Sequence, residues 1–153
     1  MAVRFSTGLR DDILGSTGLS TSLNDGVIHI YSGSQPSTAD SAISGVLLGT
    51  VTVDAGAFTP GSPTNGLSFD APNSGVVAKA AAENWKFNGI VDGTAGWFRF
   101  VGNAIDDTLV STTLPRIDGS IAKTGGDMTL SNTAITAGAP STVDIFELAM
   151  AAN

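Results

Sequence analysis

His29 is the only histidine of the chain and Tyr31 the only tyrosine, and both fall within GVIHIYSGSQPSTADSAISGVLLGT, residues 26–50. A histidine beside a serine-rich segment could supply a nucleophile–base pair if the imidazole reached a serine hydroxyl and an acid oriented the ring. No serine stands in a G-x-S-x-G turn, the usual strained seat of such a nucleophile. His29 also lies between Ile28 and Ile30. The pattern therefore favours a strand histidine, hydrogen-bonded at a solvent or subunit face, over a general base.

The acids are less suggestive of chemistry. Asp11–Asp12 and Asp106–Asp107 are adjacent pairs, with Asp118 and Asp127 further on. Glycoside hydrolysis needs two carboxyls facing each other across a sugar, whereas neighbours in an extended chain point apart. Calcium loops of the D-x-D-x-D-G type are missing, and so are the glycine motifs that cradle phosphate. These acids read as solvated loop residues or partners in inter-subunit ion pairs. Trp85, Trp97, Phe98 and Phe100 could stack on a sugar; Phe98 and Phe100 fit a core better, and Trp97, on the opposite face, stays open. No catalytic residue, cofactor or metal site is expected, and the chain reads as non-enzymatic.

Composition narrows the partners. The 153 residues carry 14 acids against 7 bases, a formal net charge of −7. Direct nucleic-acid binding needs basic side chains to replace phosphate counterions, and anionic membrane surfaces make the same demand. Neither is expected. With no cysteine, disulfides and thiolate chemistry are excluded. The start MAVRFSTGLRDD has no long apolar region of the secretory kind, and no run reaches the ~18–20 apolar residues of a membrane span. Charged residues are only 14% of the chain, against roughly 25% in an average domain. So bland a surface suits a protein covered by neighbours.

The elements that must position these residues are short. TGLRDDILG has Leu9 and Ile13 at helical spacing, Ser6 or Thr7 as N-cap, and Asp11 and Asp12 placed to favour the helix dipole. After Gly15 and Gly18 a loop is expected up to Gly26. From Val27 the period becomes two: VIHIY sets Ile28 and Ile30 on a core face, with Val27, His29 and Tyr31 on the other. VLLGTVTV resumes the alternation with a shift in phase near Gly49, the mark of a bulge. Leu67 and Phe69 could form a brief strand among prolines. DGTAG reads as a hairpin turn leading into GWFRFV, in which Phe98 and Phe100 oppose Trp97, Arg99 and Val101. RIDGSIAKTGGDMTLSNTAITAG is several strands joined by glycine turns, and STVDIFELAM a last strand. Short strands with turn signals every ~8–12 residues predict an all-β fold, an antiparallel β-sandwich or barrel with a short N-terminal helix. One domain over 1–153 is expected, with helix and loop in 1–25 and the β domain in 26–150.

The same blocks carry a resemblance. Ile30, Tyr31, Ser32 and Gly33, then Gln35, Pro36, Ala39 and Asp40, then Leu47 and Leu48 match the order I-Y-[ST]-G, Q-P-x-x-A-D, L-L. That order resembles a recurring block in small virion structural proteins of tailed bacteriophages and prophages. GTAGWFRFV, RIDGSI and the closing AGAPSTV resemble that family's second half, so the likeness runs from Thr7 to Met150. The loop GNAIDDTLVSTTLP is longer than the family pattern leads one to expect.

The resemblance implies a virion component made in the host cytoplasm, most simply a capsid decoration (cement) protein on the outer surface of the major capsid protein lattice. Its partners would be the major capsid protein or other virion proteins, in a homo-oligomer or symmetric array. A tail, neck or fibre-associated component is the alternative. An adhesion module stacking glycans on Trp97 or Tyr31 is a third reading, and a His29 hydrolase a fourth. The contact residues expected are Leu9 and Ile13 on the helix, Gln35, Pro36 and Asp40 in the loop, and Asp106 and Asp107 in the long loop.

Overall fold

The structure is a computed structural model and describes residues 3–150; residues 1, 2 and 151–153 of the expected domain lie outside the described residues. Its elements are β1 (Arg4–Phe5), α1 (Thr7–Leu14), α2 (Leu19–Leu23), β2 (Val27–Ser32), β3 (Leu47–Val53), β4 (Val76–Ala78), β5 (Trp85–Asn88), β6 (Gly93–Val101), β7 (Arg116–Ala122), β8 (Met128–Thr129), β9 (Ala134–Ile135), β10 (Pro140–Thr142) and β11 (Glu147–Ala149). The fold is all-β and sandwich-like. A nine-stranded sheet runs β1-β7-β6-β2-β3-β5-β10, with β8 beside β7 and β9 beside β6. Every pairing in it is antiparallel except β7 with β8. A second sheet, β4 with β11, contributes Val77 and Leu148 to the same core. The large sheet ends at β1 and β10, which do not pair, so it is open rather than a closed barrel. Among the described residues no helix is long and apolar enough to cross a membrane.

Alternation builds the inner face. Ile28 and Ile30 of β2, Val51 of β3, Phe98 and Phe100 of β6 and Ile117 of β7 form one buried cluster with Trp85, Phe87 and Phe146. Phe100 meets Trp85 edge-on at 5.9 Å between ring centroids, and Phe146 packs within 6 Å of Trp85, Phe98 and Phe100. Such aromatic pairs add to simple area burial because edge-to-face contact matches opposite ends of the ring quadrupoles. The bulge expected near Gly49 is present: Ile30 faces Gly49, Tyr31 faces Leu47, and Leu48 is the extra residue.

The first helix forms as its sequence predicts, with the Ser6 hydroxyl accepting from the Leu9 amide at its N-terminus. Asp11 and Asp12, however, fall beyond the first turn, where the dipole's influence fades. The acid at the helix start is Asp40, whose two oxygens accept from the Thr7 N–H and hydroxyl, both at 2.7 Å.

Four expectations need correction. STVDIFELAM is not one last strand: β10 ends at Thr142 in the large sheet and β11 begins at Glu147 in the small one, with 143–146 outside any strand. The segment after Gly18 is not all loop: α2 forms because burying Leu23 offsets the weak helical preference of its Ser and Thr residues. Leu67 and Phe69 make only isolated bridges, to Gly26 and Lys79. DGTAG is not a hairpin, since β2 and β3 lie between β5 and β6 in the sheet. Gly93 begins β6 and lets Leu48 approach: a Cβ there would stand 2.7 Å from a Leu48 methyl. Asp92 accepts from the distant Ala137 amide instead of closing a turn.

Candidate functional site

The outer face of the large sheet holds the residues that the sequence made conspicuous. Register places them in rows. Thr50, His29, Arg99, Asp118 and Arg4 are successive cross-strand neighbours on β3, β2, β6, β7 and β1. Tyr31, Trp97 and Ser120 form the next row on β2, β6 and β7, and Val27, Val101 and Arg116 the row on the other side. Period-two alternation explains why they share a face. It does not make that face open. Two loops, 33–46 and 102–115, lie over it, and backbone bonds tie them together: Ile43 N–H to Thr108 O at 3.0 Å and Ser111 N–H to Asp40 O at 2.9 Å.

Two arginines hold this cover down. Arg99 is 1% exposed and makes a two-pronged pair with Asp118, Nε to Oδ1 at 2.7 Å and Nη2 to Oδ2 at 2.8 Å. Its remaining arm donates to the Ser41 carbonyl of the first loop. Arg116 makes the same fork with Asp106 of the second loop, both bonds at 2.6 Å, and donates to Leu109 O. The planar guanidinium suits this geometry, since it can satisfy a carboxylate and a carbonyl at once. Burial pushes the Asp118 carboxyl above its ordinary value, against the pull of the Arg99 guanidinium. The Trp97 indole N–H donates to Ser44 O, and its ring stacks on Tyr31 at 4.6 Å. Burial pushes the Tyr31 hydroxyl up to about 12.

His29 is half-buried, and its Nδ1 lies 3.0 Å from the Thr50 hydroxyl. Desolvation lowers its pKa to about 4; Asp106 opposes that shift and Arg99 adds to it. The ring is thus neutral at pH 7, as a general base would be. Its side-chain partner among the described residues is a threonine, and the carboxylates of Asp106 and Asp118 are both forked onto arginines. Among the described residues no three His, Cys, Asp or Glu side chains group as a metal site.

The expected contact residues are divided in role. Leu9 is fully buried in the chain's own core, and Ile13 is packed against it. In the first loop only Gly33, Ser34, Ser37 and Thr38 of residues 33–40 are exposed. Gln35 and Pro36 are half-buried, the Pro36 carbonyl accepts from Arg4, and Asp40 is engaged at α1. The polar atoms of the Gln35 side chain are buried with no hydrogen-bond partner among the described residues. Asp106 turns inward to Arg116, while Asp107 is exposed and accepts from the Leu109 amide.

Four readings of this face are overturned. Tyr31 does not lie on a solvent face, and His29 reaches solvent only in part, because the loops cover most of that face. Trp97 is not open but fully buried, so neither it nor Tyr31 offers a ring for stacking a sugar. Asp118 is a strand residue in a buried pair, not a solvated loop acid. Asp106 is likewise paired within the chain. The arginine anchors were missed. Their signal was an arginine in each of two apolar strands, RFV and RID, where a charge must find a partner.

Beside exposed polar residues such as Ser37, Thr38 and Asp107, the cover presents three large apolar side chains. Ile105 is 76% exposed, Leu109 60% and Val110 73%, all on loop 102–115, which Arg116 holds through Asp106 and the Leu109 carbonyl. No protein-family model, curated protein or solved structure matches the chain.

Proposed function

We propose that this chain is a non-enzymatic structural protein of a tailed-bacteriophage virion, a decoration protein that binds the outer surface of the capsid lattice. The sequence blocks described above support the family. The observation that carries the mode of action is loop 102–115, with Ile105, Leu109 and Val110 held out to solvent while Asp106 and Leu109 are bound from beneath by Arg116. A surface loop fixed at its base loses little freedom on docking, so more of its contact energy appears as affinity. Burying three such side chains is worth roughly 1.5–3 kcal/mol each before association costs are subtracted. That is weak for one contact. Repetition around a shell, or linkage within an oligomer, makes the sum large. The excess of acids over bases, 14 against 7, also suits a protein outside a DNA-filled shell rather than one touching DNA.

The test is reconstitution. Heads assembled without this protein are mixed with the purified chain and sedimented. Saturable co-sedimentation is expected, and it should fall at least tenfold for the triple variant Ile105→Ser, Leu109→Ser, Val110→Ser. Binding to purified tails but not to heads would assign the protein to the tail or neck instead.

A further inference from the structure

Arg4 and Arg10 converge on one surface cavity. It has a volume of about 440 Å³ and lies where β1, α1 and loop 33–46 meet, lined also by Ser37, Thr38, Ala39 and Asp40. We propose that this cavity is a binding site for a single carboxylate group, received between the two guanidiniums and the hydroxyls of Ser37 and Thr38.

Charge carries the first part of the inference. Acids outnumber bases 14 to 7, so each arginine has carboxylates to choose from. Arg99 and Arg116 are both forked onto aspartates. Neither Arg4 nor Arg10 has a carboxylate within 4.0 Å among the described residues. Their anchors are neutral: Arg10 donates to the Thr7 hydroxyl at 2.8 Å, and Arg4 donates to the Pro36 carbonyl. The Arg10 Nε also donates, at 3.4 Å, to the Ser6 carbonyl; neutral acceptors of this kind fix the guanidiniums without cancelling their charge, and both side chains line the cavity. A site built this way has met part of its ordering cost before the ligand arrives.

The choice of ligand follows from the sum of charges. Asp40 also lines the cavity, but its oxygens are engaged by the Thr7 N–H and hydroxyl at the start of α1. Two arginines less one aspartate leave a net charge of +1. That balances one carboxylate and leaves a phosphate dianion overcompensated, with Asp40 repelling it. Guanidinium forks also match the carboxylate's paired oxygens, as Arg99 and Arg116 show within the same fold. Ser37 and Thr38 are exposed at the rim, which places the ligand at the surface, within reach of an acidic side chain on another protein.

The probe is acetate, compared with inorganic phosphate and with sodium chloride at equal ionic strength. The readout is the Nε–H resonances of the arginines in a ¹⁵N-labelled sample of the full chain. Acetate should shift Arg4 and Arg10 saturably, with a Kd on the order of millimolar, and leave Arg99 and Arg116 in place. Arg10→Gln, an exposed change on α1, should abolish saturation at Arg4, whereas Lys123→Gln at a distant exposed site should not alter it. Equal shifts in chloride, tighter binding of phosphate than of acetate, or unchanged saturation in Arg10→Gln would each overturn the proposal.

Discussion

At the scale of single residues, the outer face is organised by buried charge, and burial makes each pair costly to break. A forked pair such as Arg99–Asp118 gains little over an apolar pair of similar volume, because both ions lose water. Removing one partner strands the other. Arg99→Leu is therefore expected to lower unfolding free energy by about 3–5 kcal/mol in urea denaturation, with Asp118→Leu in the same range. The double variant should recover most of that loss. Losses that simply add would mean the two side chains do not act as a pair. His29 gives a pH signature. The unfolded chain takes up its proton near 6.5 and the native chain only near 4, so protonation favours unfolding. Stability should fall as pH drops from about 6.5 to about 4 and change no further through this group below that. The expected loss is about 2 kcal/mol after discounting for the ring's partial exposure. His29→Gln should flatten that part of the stability–pH curve relative to the parent, and a curve of unchanged slope would refute the assignment.

At the scale of elements, the loops depend on a few contacts with their supports. Ser6 serves three: its hydroxyl accepts from Leu9 N–H and Arg116 N–H and donates to Leu114 O. Ser6→Ala should cost about 2 kcal/mol, more than an ordinary cap, since two buried backbone donors lose their acceptor. Gly96 holds β6 against the start of loop 33–46, and a Cβ there would stand 1.9 Å from the Gly33 carbonyl oxygen. Gly96→Ala should displace that loop, seen as loss of Trp97's shielding from an aqueous fluorescence quencher. Much at this scale was legible in the sequence. Helical spacing and a serine cap marked α1, alternation marked β2, β3 and the two faces of β6, and the phase shift marked the bulge. What escaped notice was long-range. Arg99 and Asp118 are 19 residues apart and Arg116 reaches back 10 to Asp106, and no local period encodes such pairs. A face made of His, Tyr, Trp and Arg also reads as exposed until the loops that cover it are known. The DGTAG turn failed for a similar reason: local turn chemistry says nothing of which strands will later lie between its flanks.

At the scale of the whole molecule, an open, low-charge β fold carries its large exposed apolar side chains in loops and segment ends rather than in its sheets. Ile105, Leu109 and Val110 make no contribution to the core cluster, so replacing all three with serine should leave the urea midpoint nearly unchanged while weakening head binding. A variant that loses stability as well would mean the loop packs inward. The central claim is that the protein coats a capsid, and copy number tests it most directly. Quantitative mass spectrometry of purified particles should find this chain in the hundreds, in a simple ratio to the major capsid protein, as repeated lattice binding requires. About a dozen copies would contradict that account and point to the neck or tail, and none at all would remove the protein from the particle.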